Sequence, residues 1–163
     1  MTKPRIDIIT NRTRGIGDFT TTPRPPTEIV KSMLASLSKG RIDEFVDEFD
    51  SPFTFSDRAL DLQFNERQRL TEFLQKSRQL FSDTVIEIVS AYQCGETAIA
   101  EWKLTATENV SSGSMMLRLP ISLWGVSIVQ FQKQKVTHWS DCYDQLRSRR
   151  VGLAAAFAQW VEY

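Results

Sequence analysis

Histidine occurs once in these 163 residues, as His138, and cysteine only twice, as Cys94 and Cys142. One imidazole and two distant thiols cannot supply the clustered ligands of a zinc site, so no metal and no other cofactor are expected. Two cysteines also make no disulfide framework, which fits free thiols and a cytoplasmic location. An excess of either charge is lacking as well. The 20 Lys and Arg balance the 20 Asp and Glu, leaving no net field to draw the chain to nucleic acid or to an anionic membrane. The most apolar stretch, residues 115–131, is broken by Arg118 and Pro120, and Lys3, Arg5 and Asp7 stand where a signal peptide would be greasy. No membrane span is expected. Gly15-Ile16-Gly17 has no strand before it and makes no phosphate-binding loop.

What is present is enough apolar surface, 41% hydrophobic residues, for one core. Residues 1–25 mix Thr, Arg, Gly and Pro without periodicity and read as a flexible arm, leaving residues 26–163 as a single domain. Ile29, Val30, Met33, Leu34 and Leu37 recur at helical spacing behind Pro25-Pro26-Thr27, and Gly40 supplies a stop. Ile42, Phe45, Val46 and Phe49 predict a short second helix ending at Asp50-Ser51-Pro52. Residues 53–57 alternate and predict a brief strand, whose apolar row of Phe53 and Phe55 ends on the carboxylate of Asp57. A third helix is predicted from an N-cap at Asn65 to Ser82-Asp83, with Leu70, Phe73, Leu74, Leu80 and Phe81 as its stripe.

Beyond Asp83 the period changes to two. Residues 84–92, 97–107, 115–132 and 135–143 are β-branched and aromatic runs with short connectors at 94–96, 109–114 and 133–134, which predicts an antiparallel meander. Ala98, Ala100, Trp102, Leu104 and Ala106 share its buried face, and Trp124 is expected in the core with Trp102. From Gln145 the composition turns helical again, with Leu153, Phe157 and Trp160 as a stripe behind a start at Arg147, Arg149 and Arg150. The fold class is α+β.

Residues 135–144 carry the densest chemistry, two carboxylates, a phenol and the histidine. On a strand, Trp139, Asp141 and Tyr143 share one face, while His138, Ser140, Cys142 and Asp144 share the other. If the first set lines the interior, Asp141 is a buried acid and His138 is removed from it.

The order of elements, closed by Lys-Val-x-x-Trp-x-Asp-x-Tyr-Asp, resembles the nuclear transport factor 2-like superfamily over residues 27–144. That group holds ketosteroid isomerases, limonene-epoxide hydrolases, SnoaL-like polyketide cyclases, dehydratases and non-catalytic domains. The resemblance implies a cone-shaped curved sheet packed on helices around an apolar pocket, with dimers formed through the sheet's outer face. Residues 139–144 look like the closing Trp-Arg-Asp-Tyr-Phe-Asp of the epoxide hydrolases, which puts Asp141 where a catalytic carboxylate sits. The arginine and the second aspartate of those enzymes fall on Trp102 and Leu104, and their water-holding tyrosine and asparagine on Phe55 and Asp57, so their triad is absent. Asp57 instead falls near the aspartate base of the ketosteroid isomerases, although residues 27–39 lack the tyrosine those enzymes place there.

Two readings stand at this point. In one, Asp57 and Asp141 are the catalytic carboxylates of a cofactor-independent acid–base enzyme, with Phe55, Trp102 and Tyr143 binding a small hydrophobic or carbonyl-bearing ligand. In the other, the same cone is a non-catalytic binding or dimerisation domain, Asp57 a turn former and Asp141 a structural carboxylate. A homodimer is expected in both, because residues 115–131 carry more apolar side chains than one buried face requires.

Overall fold

In the computed structural model, which describes residues 23–112 and 115–144, Pro26 opens the first helix, α1 (Pro26–Ser38). A proline at this position has no amide hydrogen to leave unpaired, and its fixed φ suits the first turn. Gly40 ends the turn at φ 72°, a left-handed geometry that glycine adopts without strain. Helix α2 is a single turn (Ile42–Val46). Phe49 does not extend it, contrary to the helical pattern, but begins strand β1 (Phe49–Asp57). Pro52 is accommodated because β1 breaks register between Phe49 and Thr54, where no ladder hydrogen bond is required of it. A three-residue strand, β2 (Leu62–Phe64), turns back on β1 and is too short to leave a periodic signature.

Helix α3 (Arg67–Leu80) is preceded by Glu66 rather than capped by Asn65, and it runs straight into β3 (Phe81–Cys94). Three long strands follow, β4 (Thr97–Ser112), β5 (Met115–Gln132) and β6 (Lys135–Tyr143). Strand β4 therefore continues through residues 109–112, which the polar composition suggested as a connector. The two-residue turn between β5 and β6 has both Lys133 and Gln134 at positive φ, the geometry that matches strand twist in a tight hairpin.

The sheet is curved and open, in the order β2-β1-β6-β5-β4-β3. The meander β3 to β6 is antiparallel as expected, but β1 joins β6 in parallel, pairing Phe55 with Trp139 and Asp57 with Asp141. Helices α1 and α3 pack on its concave side. Ile29, Val30, Met33 and Leu34 of α1 meet Phe45, Phe49, Phe55, Phe73 and Trp139 in one core, with the Trp139 ring edge-on to Phe45 at 5.0 Å and stacked on Phe55 at 6.4 Å.

Trp124 is not core. Strand parity turns Leu123 inward against Leu104, so Trp124 is 48% exposed on the convex face, with the Lys103 ammonium over its ring. The arm at residues 1–22 and the C-terminal helix expected beyond Gln145 lie outside the described residues. Among the described residues no helix is long and apolar enough to cross a membrane.

Candidate functional site

The concave face closes over a cavity of about 180 Å³ whose walls are mainly aliphatic and aromatic, from Leu34 and Leu37 on α1, Phe73 and Leu74 on α3, and Ile86, Leu104 and Leu123 on the sheet. Asp57, Asp141, Phe55, Trp102 and Tyr143 all line it. His138 is exposed on the convex side, Cys142 is half-buried outside the cavity, and Cys94 is exposed.

Parallel pairing of β1 with β6 puts the two carboxylates side by side, because Asp57 and Asp141 are register partners with the same pleat. Their surroundings differ. Asp57 is 6% exposed, and its Oδ1 accepts the backbone amides of Ala59 (3.1 Å) and Leu60 (3.0 Å), while its Oδ2 accepts the Tyr143 hydroxyl at 2.9 Å. Asp141 takes both its donors on one oxygen. Its Oδ1 accepts the Ser127 hydroxyl at 2.5 Å and the Trp139 indole N–H at 2.7 Å, and among the described residues nothing donates to Oδ2.

Burial dominates the titration of both acids. It pushes Asp141 up to about 7, opposed by the Ser127 bond, helped by the charge of Asp57 and opposed again by Trp139. Burial also raises Asp57, against the Tyr143, Leu60 and Ala59 hydrogen bonds that favour its ionised form. The Tyr143 phenol is driven far above its ordinary range by burial and by Asp57, so it stays a donor. Three donors on Asp57 and one unclaimed oxygen on Asp141 favour a split in which Asp57 is the carboxylate and Asp141 holds the proton on Oδ2.

Ser127 and Gly125 escaped the sequence reading. The inward row of β5 runs Leu123, Gly125, Ser127, Val129, and the two small or polar members of that greasy row were the available signal. Ser127 is fully buried and accepts the Trp102 indole N–H at 2.9 Å, which leaves its own proton for Asp141. Trp102 reaches it by lying over Gly125, where a Cβ would meet the ring at 2.3 Å. Arg78 also lines the cavity, from the last turn of α3. It follows Leu74 by one helical turn and is exposed at the rim of the cavity, a spacing that could have revealed it.

The SnoaL-like domain family model matches residues 30–139. The chain belongs to the SnoaL-like domain family. Solved structures similar to it agree in fold at low identity. A protein described as a SnoaL-like polyketide cyclase from Shewanella denitrificans OS-217 is 14% identical with a TM-score of 0.68, covering 80% of this chain and 99% of that one. An epoxide hydrolase of M. tuberculosis resembling limonene-epoxide hydrolases is 13% identical with a TM-score of 0.62, covering 85% and 96%. A protein of Catenulispora acidiphila DSM 44928 with a ketosteroid isomerase-like fold, solved with trimethylamine, is 15% identical with a TM-score of 0.61, covering 74% and 88%. No curated protein matches the chain by sequence. Membership of this SnoaL-like group and the curved α+β fold agree with the superfamily resemblance of the closing strand.

Proposed function

We propose that this SnoaL-like protein binds a small, mainly apolar carbonyl compound in its cavity and that Asp57 and Asp141 divide a proton transfer on it. The observation that carries this reading is the side-by-side placement of the two carboxylates at one apolar cavity, with only one of them fully supplied with donors. Asp57 removes a proton from the carbon beside the carbonyl, breaking that C–H bond. Asp141 gives its Oδ2 proton to the carbonyl oxygen, so an enol forms without free charge. Return of a proton to a different carbon completes an isomerisation, loss of a neighbouring hydroxyl a dehydration, and attack on a second carbonyl a cyclisation. None of these needs a cofactor.

Volume narrows the ligand. An engineered apolar cavity of about 150 Å³ accepts benzene, so a cavity of about 180 Å³ suits one ring or a short chain rather than a fused polycycle. The trimethylamine of the C. acidiphila relative is a small molecule held by the same fold, which supports a binding role. Thermal-shift titration with cyclic monoketones tests the reading: stabilisation is expected for the wild type and loss of it for Asp141→Asn. Equal stabilisation of both would remove Asp141 from the site.

A second reading keeps the cavity without turnover. It is favoured by the donors on Asp57, two of them amides of the turn that follows β1, which is how a purely structural aspartate is held. In both readings the protein works as a homodimer through the convex face, where Ile99, Trp124 and Ile128 stand exposed on adjoining strands.

A further inference from the structure

Resting on the carbonyl-binding reading, we propose that the ligand also carries a carboxylate, held by Arg78 at the opposite end of the cavity from the Asp57–Asp141 pair. Among the described residues Arg78 is the only Lys or Arg that lines the cavity, and it also borders the outer groove of Gly40, Arg41, Asp43 and Glu44. It therefore stands at the passage between the two. Among the described residues no carboxylate lies within ion-pair distance of it, and its one hydrogen bond is a long contact of 3.5 Å to the Ser38 carbonyl. Glu44 in that groove is occupied by Arg41 and by the Ser36 hydroxyl. The guanidinium is laid flat across Gly40, where a Cβ would come within 2.4 Å of Nε. Glycine at this turn thus serves both the backbone, at φ 72°, and the seat of the arginine.

The two ends differ in sign and are well separated. Ser38, which touches Arg78, also accepts the Ile86 amide of β3, whereas the carboxylates sit on β1 and β6. Strands β3 and β6 are three steps apart in the sheet, roughly 14 Å along a flat sheet and less along a curved one. A ligand anion at the deep end would face the Asp57 carboxylate, so charge allows one direction of entry: carbonyl toward Asp141, carboxylate toward Arg78. The planar guanidinium fork matches a carboxylate with two parallel N–H donors. The ligand class is then an elongated keto acid, a short chain or single ring with its carboxylate at the far end from its carbonyl.

Calorimetric titration of the full chain with linear methyl-ketone carboxylates of increasing length, each paired with its primary amide, tests this. The acid of the best-fitting length should bind at least about tenfold tighter than its amide. Arg78→Gln should erase that preference by weakening the acid at least about tenfold more than the amide, and Arg78→Lys should restore part of it. Equal binding of acid and amide to the wild type, or a preference that survives in Arg78→Gln, overturns the assignment of Arg78 and leaves the carbonyl-binding reading intact. Binding of neither member at any length overturns both.

Discussion

Asp57 and Asp141 are register partners on β1 and β6, the one parallel pair among the described strands. The unfolded Asp141 carboxyl titrates near its ordinary 3.8 and the folded one near 7, so between these values the folded state holds the extra proton. That stabilisation is fully present below the unfolded value and is lost as pH rises through about 7. Asp141→Asn keeps the shape and both acceptor bonds of the protonated acid but cannot ionise. Thermal melts from about pH 5 to about pH 9 should show wild-type stability falling with pH, on the order of a few kcal/mol at most, and a flatter profile for Asp141→Asn. Parallel profiles would mean that Asp141 is not protonated at neutral pH.

Tyr143→Phe removes the only side-chain donor to Asp57 among the described residues and leaves the ring in place beside Trp102. A hydrogen bond to a charged group contributes about 1.5–3 kcal/mol, and its loss should raise Asp57 further because that bond favours the ionised form. Carbon-13 titration of the aspartate side chains reads the shift directly. An unmoved Asp57 would show that the phenol is not its partner in solution.

Gly125→Ala should displace the Trp102 indole, since the added methyl and the ring cannot share 2.3 Å. Overpacking of this kind costs about 1–3 kcal/mol. The displaced indole also loses its bond to Ser127, so tryptophan fluorescence should shift together with the melting temperature. A variant with wild-type stability and emission would mean that the strand yields instead of the ring.

Ile128→Lys places a charge at the end of the exposed apolar row that runs from Tyr92 through Ile99 to Ile128. Sedimentation should show a dimer for the wild type at micromolar concentration and a monomer for the variant. A wild-type monomer would remove the dimer from the account.

The meander and the concave row of Ala98, Ala100 and Trp102 were legible because a half-buried strand writes its period of two into the sequence. The shared face of Trp139, Asp141 and Tyr143 followed from the same parity. The parallel pairing of β1 with β6 was not legible, since the partners Asp57 and Asp141 are 84 positions apart and no local pattern records which distant strand is a neighbour. Phe49 was misread because one further apolar residue at helical spacing cannot announce that the helix has already ended. Trp124 was misread by residue type, where its position next to the inward Leu123 already required the other face.

Hydrogen exchange at the carbon beside a ketone bears most directly on the paired carboxylates. In heavy water, a cyclic monoketone that stabilises the protein should incorporate deuterium at that carbon, followed by proton NMR. Asp57→Asn should abolish the exchange. Asp141→Asn should slow it by about 10²–10³-fold, the usual loss when one donor to a developing oxyanion is removed. Exchange at the wild-type rate in both variants, or none with any ketone that binds, would contradict a division of base and proton donor between Asp57 and Asp141.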